Sequence, residues 1–122
     1  MEDQIAAKPQ ISFGKFENVD LRTAVITSAK MAAGTRFPCR VLGLDLGPLG
    51  ERTSIGQFAL VSEDQLVGMK VVACVNLGAR QMGEYLSEVL VLGTRHPNSP
   101  TDQAQALPLA AAEQSSPGEV VF

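Results

Sequence analysis

Short runs of alternating or continuous apolar residues, separated by turns rich in glycine and proline, occupy the chain between residues 20 and 93. Val, Ile and Thr are frequent in these runs, and they favour pleated, half-buried strands. The pattern predicts five strands, at residues 21–29, 36–46, 53–60, 69–76 and 87–92. The fifth run is apolar at both alternating positions, so we expect it to lie in the centre of the sheet.

Two short helical segments are predicted beside these strands. Ser62 stands three residues before Gln65 in a capping pattern that ends at Gly68, which predicts one helical turn between the third and fourth strands. Phe13 and Phe16 are spaced at three. This spacing predicts a helical or turn segment that covers one end of the core.

The second strand contains a predicted irregularity. Its apolar residues occupy one parity at 37, 39 and 41 and the other parity at 42, 44 and 46. The inward face therefore switches between Val41 and Leu42, directly before Gly43. A β-bulge at this point would let the strand turn a corner of a closed barrel.

Five strands with a short helical turn between strands three and four, and no long helix, predict an all-β fold. We expect a five-stranded OB-fold Greek-key barrel with N- and C-terminal extensions, the alternative being a generic small β-sandwich. A chain of 122 residues has room for one domain. That domain is expected at 13–122, with its core at 13–93, a C-terminal extension at 94–122 and a flexible leader at 1–12.

The charge distribution limits the class of partner. The formal net charge is −3, and residues 13–93 carry eight basic and eight acidic side chains. This balance argues against a broad electrostatic nucleic-acid binder. Five of the eight cations are arginines, which favour bidentate contact with carboxylate or phosphate. The sequence is therefore compatible with a compact anion-binding patch.

Candidate catalytic chemistry is sparse. The chain has one histidine, His96, and neither a glycine-rich phosphate loop nor metal-ligand spacing, so we expect no enzyme activity, catalytic residue, metal or cofactor. Cys39 and Cys74 are interpreted as buried reduced thiols of a cytoplasmic protein, with a disulfide or a reactive thiol as alternatives. No apolar run reaches the ~20 residues of a membrane-spanning helix, so no membrane insertion is expected.

Several segments together carry a resemblance to a known family. They are Asp20-Leu21-Arg22-Thr23, Arg36-x-Pro38, Arg52-Thr53-Ser54-x-x-Gln57, Asn76-Leu77-x-x-Arg80-x-x-Gly83 and the run from Ser87 to Gly93. In this order they resemble the OB-fold tRNA-binding domain of some methionyl- and phenylalanyl-tRNA synthetases and of the endothelial monocyte-activating polypeptide. Phe37 and Glu88 replace the His and Gly of the synthetase-type domain. These departures make the chain more similar to the free-standing CsaA-type proteins, described as secretion chaperones.

The resemblance implies an OB barrel, a homodimer, no catalytic activity and a pocket that binds peptides of unfolded preproteins or tRNA. In OB barrels the recognition surface is the face of strands two and three with its flanking loops. On the predicted strands, the ligand-binding candidates for this surface are Arg36, Phe37, Ser54, Gln57, Asn76, Arg80, Met82 and Ser87. Asp20 and Arg22 are interpreted instead as a structural charge pair at the start of the first strand.

Three roles stay open on this evidence. The first is a cytoplasmic, homodimeric, chaperone-like protein that holds unfolded preprotein segments during export. The second is a trans-acting tRNA-binding module, with Arg36, Arg40 and Arg80 on phosphates and Phe37 or Phe58 stacking on bases. The third is a scaffold without a ligand pocket. In the dimer, apolar residues of the leader and of the C-terminal extension are expected to cover the barrel ends and meet a second subunit.

Overall fold

The computed structural model describes residues 6–122, so the first five residues of the predicted leader lie outside the described range. Within that range the chain forms ten strands, two short α-helices and one 3₁₀ turn. In chain order these are α1 (Phe13–Glu17), β1 (Leu21–Met31), β2 (Arg40–Asp45), the 3₁₀ turn (Gly47–Leu49), β3 (Glu51–Gly56), α2 (Glu63–Leu66), β4 (Lys70–Cys74), β5 (Arg80–Met82), β6 (Tyr85–Ser87), β7 (Leu90–Val91), β8 (Gly93–Arg95), β9 (Ala106–Pro108) and β10 (Val120–Val121).

The main sheet has the strand order β3-β2-β1-β4-β7, with β10 paired to the start of β1. The long β1 pairs antiparallel with β4 through its first half and with β2 through its second half, so it belongs to both walls of the barrel. The predicted all-β OB-like barrel is confirmed. In addition to the barrel strands, the structure contains two hairpins, β5–β6 and β8–β9, that the sequence pattern did not predict.

The last gap in the barrel, between β3 and the segment before β7, is closed by side chains as well as by the backbone. Glu88 N donates to Thr53 O at 2.7 Å, while Glu88 Oε1 accepts from Thr53 N at 3.0 Å. Ser87 Oγ accepts from Ile55 N at 3.0 Å. Because these two side chains replace ladder hydrogen bonds, the predicted fifth strand is divided into β6 and β7. Leu90 is 47% exposed, so the prediction of a central strand buried on both faces is wrong.

The predicted β-bulge exists, but it lies in β1 rather than β2. The register between the two strands shifts between Ile26 and Ser28, which leaves Thr27 as the extra residue. In β2 the even-numbered residues from Arg40 to Leu44 are buried without a switch of face. A Cβ at Gly43 would lie 2.5 Å from Ser28 Oγ, so glycine is required where the bulge crosses β2.

The core consists of the inward residues of the barrel strands together with side chains from α2 and the connecting loops. The buried apolar residues of this cluster are Ala24, Ile26, Ala29, Leu42, Leu44, Leu46, Phe58, Val61, Leu66, Val71, Ala73, Val89 and Val91. Burying each of the larger side chains contributes roughly 1.5–3 kcal/mol. Cys39 and Cys74 are buried free thiols, which agrees with their interpretation from the sequence.

Both predicted helical segments form. Ser62 Oγ accepts from Gln65 N at 3.2 Å and caps α2. Ser12 Oγ accepts from Lys15 N at 3.3 Å and caps α1. The expectation that α1 covers the core is wrong, because none of its five residues is buried and Phe13 is 73% exposed.

The C-terminal extension is folded onto the barrel. The β8–β9 hairpin follows directly from β7, and β10 returns to pair with β1. Gln105 is 1% exposed and donates through Nε2 to Pro38 O at 2.9 Å, while its Oε1 accepts from Ala59 N at 3.0 Å. In the 6–122 range, none of the helices has both the length and the apolar character needed to cross a membrane.

The predicted charge pair at the start of β1 is present. Arg22 Nε donates to Asp20 Oδ1 at 2.7 Å, and Arg22 Nη1 donates to Gly118 O at 3.1 Å. The hydrogen bond to Asp20 raises the pKa of Arg22. This side chain therefore joins the beginning of the barrel to the end of the chain, which is a structural role.

Candidate ligand-binding groove

A groove of about 470 Å³ lies between the end of β3, the β5–β6 hairpin, β7 and the C-terminal segment. Its volume falls within the roughly 300–1,000 Å³ that small-ligand sites usually have. Apolar side chains dominate the lining, among them Ile55, Leu77, Met82 and Leu90. The groove is therefore a surface on which an extended apolar segment can be held.

Four of the eight predicted site residues line this groove. Gln57 follows β3, Arg80 and Met82 belong to β5, and Ser87 ends β6. The hairpin brings the last three together, because Gly83 adopts a φ of 60° in its turn and Arg80 pairs with Ser87. Two segments that are distant in sequence, Gln57 after β3 and the β5–β6 hairpin, thus meet at one groove.

Ser54 and Asn76 do not line the groove. Ser54 pairs with Leu42 on the inner face of the barrel and is 1% exposed, so a ligand outside the barrel has no access to it. The side chain of Asn76 is occupied by the backbone that precedes β1. Its Oδ1 accepts from Asp20 N at 2.9 Å, and its Nδ2 donates to Asn18 O at 2.7 Å. The convergence predicted for these two residues is therefore corrected.

Arg36 and Phe37 lie in the loop between β1 and β2, which flanks the groove without lining it. The Arg36 guanidinium carbon is 5.2 Å from the centroid of the Phe37 ring, and Arg36 is exposed. Tyr85 Oη accepts from Ala33 N at 3.2 Å and so ties this loop to the hairpin. The second strand begins at Arg40 rather than at Arg36, which is why the pair stands outside the predicted sheet face.

Two residues assigned to the alternative tRNA surface are buried. Arg40 Nη1 donates to Ala29 O at 2.8 Å, and its Nε donates to Val61 O at 3.0 Å. Phe58 is 3% exposed and packs in the core. Neither side chain is available to a phosphate or a base, so these two assignments are wrong.

The electrostatics of the groove are simple. Of the described residues that line it, Arg80 alone carries a formal charge. Gln57 Nε2 is buried, and in the described part of the chain it has no hydrogen-bond partner. Because this nitrogen is buried, a ligand in the groove has no direct access to it. No group of three or more potential metal ligands occurs among residues 6–122.

Sequence reasoning missed the C-terminal contribution to the groove. Gly93, Ala104 and Ala106 line it, although they were assigned to the core boundary and to the extension. Ala106 N donates to Gln57 O at 2.8 Å, which attaches this segment to the groove floor. Small apolar residues in a polar stretch give no local signal of such a contact. Leu90 was missed because its parity in the run after Ser87 reads as core.

Comparisons with known proteins bear on this geometry. The structure superposes on chaperone CsaA from Bacillus anthracis str. Ames with a TM-score of 0.81 and 27% identity, covering 93% of this chain and all of that one. It superposes on a CsaA chaperone protein from Picrophilus torridus with a TM-score of 0.82 and 24% identity, over 93% of this chain and 100% of that one. The resemblance to the CsaA-type tRNA-binding-domain family is confirmed.

Curated relatives that match this chain are methionine–tRNA ligases. The ligase of Chlorobium chlorochromatii is 30% identical over 95 residues, which are 78% of this chain and 13% of that protein. The ligase of Bdellovibrio bacteriovorus is 38% identical over 84 residues, 68% of this chain and 12% of that protein. The chain thus spans about one eighth of the length of these relatives. No protein-family model matches it.

Proposed function

We propose that this protein is a non-enzymatic, chaperone-like binding protein that holds unfolded preprotein segments in the cytoplasm during protein export. The groove is the site of this binding. The single observation that carries the proposal is an apolar groove of about 470 Å³ that contains four of the residues expected at the ligand site.

The lining favours a peptide over a nucleic acid. Arg80 is the one cation among the described lining residues, and the others are mostly apolar. Nucleic-acid binding gains much of its affinity from several phosphate contacts, which one arginine does not supply. An unfolded segment, in contrast, offers apolar side chains to Met82 and Leu90. Met is an adaptable contact of the kind that promiscuous binding surfaces use.

The charge that Arg80 brings to the groove suits an acidic group of a peptide. Arg80 is exposed at the groove and suits a carboxylate of the bound segment. We expect modest affinity, because ordering a flexible segment costs conformational entropy.

We also propose that the protein is a homodimer. Ile11, Phe13, Phe16 and Val19 are exposed on and around α1, and the Phe13 and Phe16 rings lie 6.1 Å apart. A cluster of exposed apolar side chains of this kind marks an interaction surface. A second copy of the chain, related by a two-fold axis, is the partner that the proposal assigns to it.

Equilibrium binding of a fluorescein-labelled unfolded peptide, followed by anisotropy, tests the proposed function. We expect Met82→Ala to weaken peptide binding at least fivefold. When the peptide carries a carboxylate, Arg80→Ala alone should weaken binding by a larger factor than Met82→Ala does. Gln114→Ala, at an exposed position that does not line the groove, is the matched control and should bind as the wild type does. Wild-type protein that binds no unfolded peptide would refute the proposal.

A trans-acting tRNA-binding module is the second candidate. The observation that favours it is the similarity to methionine–tRNA ligases over most of this chain. Arg36 and Phe37, stacked beside the groove, offer a cation and an aromatic ring for this role. Titration with a tRNA pool at two salt concentrations separates the two functions. RNA binding should weaken steeply with added salt, whereas binding of an apolar peptide should change little.

A further inference from the structure

One side of the groove is built from small residues of the C-terminal segment. Gly93, Ala104 and Ala106, here called the C-terminal wall, line the groove. Gln57 lines the groove from the segment after β3, and Arg80 and Met82 line it from the β5–β6 hairpin. The C-terminal wall adds no bulk of its own, so the free width of the groove depends on these three positions remaining small.

The C-terminal wall is held rigidly in place. Ala106 N donates to Gln57 O at 2.8 Å, and the neighbouring Gln105 is bonded to Pro38 O and Ala59 N. At Gly93 there is no room for a side chain, because a Cβ would lie 2.6 Å from Leu107 O and 3.1 Å from Phe58 Cε1. On the other side of Ala104, Gln103 O accepts from Ser99 Oγ at 2.9 Å and from Arg95 Nη2 at 3.1 Å. Hydrogen bonds on both sides of Ala104 therefore restrict how far the wall moves to admit a larger ligand group.

The β5–β6 hairpin, which also lines the groove, is more adaptable. Met82 is unbranched with three rotatable bonds, and it belongs to a two-stranded hairpin that lies off the main sheet. The hairpin therefore adapts to different ligands, while the C-terminal wall sets the upper limit on the size of the bound side chain.

We propose that Ala104 and Ala106 determine specificity: they leave space in the groove for one large aliphatic or aromatic side chain of an extended peptide. The inference rests on the proposed peptide-binding function and deepens it. Ala104 is exposed, so a larger residue there fills the groove without entering the core.

A set of labelled peptides that differ at one central residue tests this assignment. We expect wild-type protein to bind peptides with central Leu or Phe at least tenfold more tightly than the peptide with Ala. Ala104→Leu should remove this preference by weakening the Leu and Phe peptides at least tenfold, with the Ala peptide nearly unchanged. Ala112→Leu makes the same change at another exposed position of the C-terminal segment, outside the groove, and should keep the preference.

A second variant guards against a folding defect. Ala104→Gly widens the groove without adding atoms, and we expect it to shift the preference from Leu towards Phe by about threefold or more. An unchanged preference in both Ala104 variants, with wild-type peptide binding present, would overturn the specificity assignment alone. Absence of peptide binding by the wild type would overturn the proposed function together with it.

Discussion

The two ends of this protein contrast in a way that composition does not anticipate. The N-terminal segment has an apolar helical pattern, yet all of α1 is exposed. The C-terminal segment from residue 94 to 106 is polar and contains prolines, yet it buries Gln105 completely and lines the groove. Apolar content therefore does not predict which end is integrated into the barrel.

Backbone pairing accounts for the difference. The C-terminal segment offers hydrogen-bonding groups to edges that the barrel leaves open: Val72 N donates to Leu109 O at 3.3 Å, and Gly118 N donates to Thr23 O at 2.7 Å. Buried backbone groups need such partners, so the polar segment is held. Backbone hydrogen bonds around α1 are local, from Lys15 N to Ser12 O and from Val19 N to Phe16 O. The segment is joined to the barrel through the Asn76 side chain at Asn18 and Asp20.

Truncation is the strongest test of this contrast. Removal of residues 95–122 strips backbone partners from β1, β4 and Gln57. We expect it to abolish cooperative unfolding, since typical domains have only about 5–15 kcal/mol in total. Removal of residues 1–17 should leave a cooperative transition, because Asn18 and Asp20 keep their bonds to Asn76. Urea unfolding followed by circular dichroism measures both. Equal losses from the two truncations would contradict the comparison.

The substitution Gln105→Ala tests how the C-terminal segment is attached to the barrel. The substitution leaves Pro38 O and Ala59 N without their buried partner, and we expect a loss of about 2–3 kcal/mol in the free energy of unfolding. Gln114→Ala changes the same residue type at an exposed position and should cost less than about 0.5 kcal/mol. A loss for Gln105→Ala no larger than that of the control would show that its two hydrogen bonds do not hold the segment.

The N-terminal side is tested by the double variant Phe13→Ser/Phe16→Ser. Because both rings are exposed, we expect the free energy of unfolding of the monomer to change by less than about 0.5 kcal/mol per site. Phe58→Ser, the same chemical change in the core, should cost about 3–5 kcal/mol. If the proposed dimer forms through these rings, sedimentation at high concentration should give a dimer for the wild type and a monomer for the double variant. A wild type that sediments as a monomer would remove the dimer proposal.

The smallest effect concerns Cys39, which follows the proline held by Gln105. Burial raises the pKa of the Cys39 thiol. The unfolded chain therefore loses this proton first as pH rises, so stability is retained below the ordinary thiol pKa of about 8.5 and declines above it. Alkylation at pH 8 should be slow in the wild type and in the Phe13/Phe16 variant. It should be faster in Gln105→Ala, and Cys39→Ala should flatten the alkaline decline.

The local pattern was sufficient for much of the fold. Val, Ile and Thr runs identified the barrel strands to within a few residues, and Ser62 marked the start of α2 because capping is a short-range interaction. The irregularity at Gly43 was located in the right place but on the wrong strand. In β2 the buried parity does not switch, and only the register between β1 and β2 assigns the extra residue to Thr27.

The groove was accessible to sequence reasoning only in part. Arg80, Met82 and Ser87 are close in sequence and share a hairpin, so a motif captures them together. Ser54 and Asn76 carry side chains that suit a ligand, but strand parity turns the first inward and Asn18 and Asp20 occupy the second. Residue type states what a group can bind, while burial and competing partners decide whether it is free to do so.

Properties that depend on neighbouring residues in the chain could thus be predicted from the sequence: the strands, the helix caps, the charge balance and the barrel class. Pairings between distant segments were not, because a hydrogen bond such as that from Ala106 N to Gln57 O leaves no trace in either local pattern. Folding brought the small residues of the C-terminal wall against the groove and left the aromatic rings of α1 in solvent. Both outcomes arise because unpaired backbone groups at the open barrel edges form hydrogen bonds with a segment that reaches them, and the C-terminal segment is the one that does so.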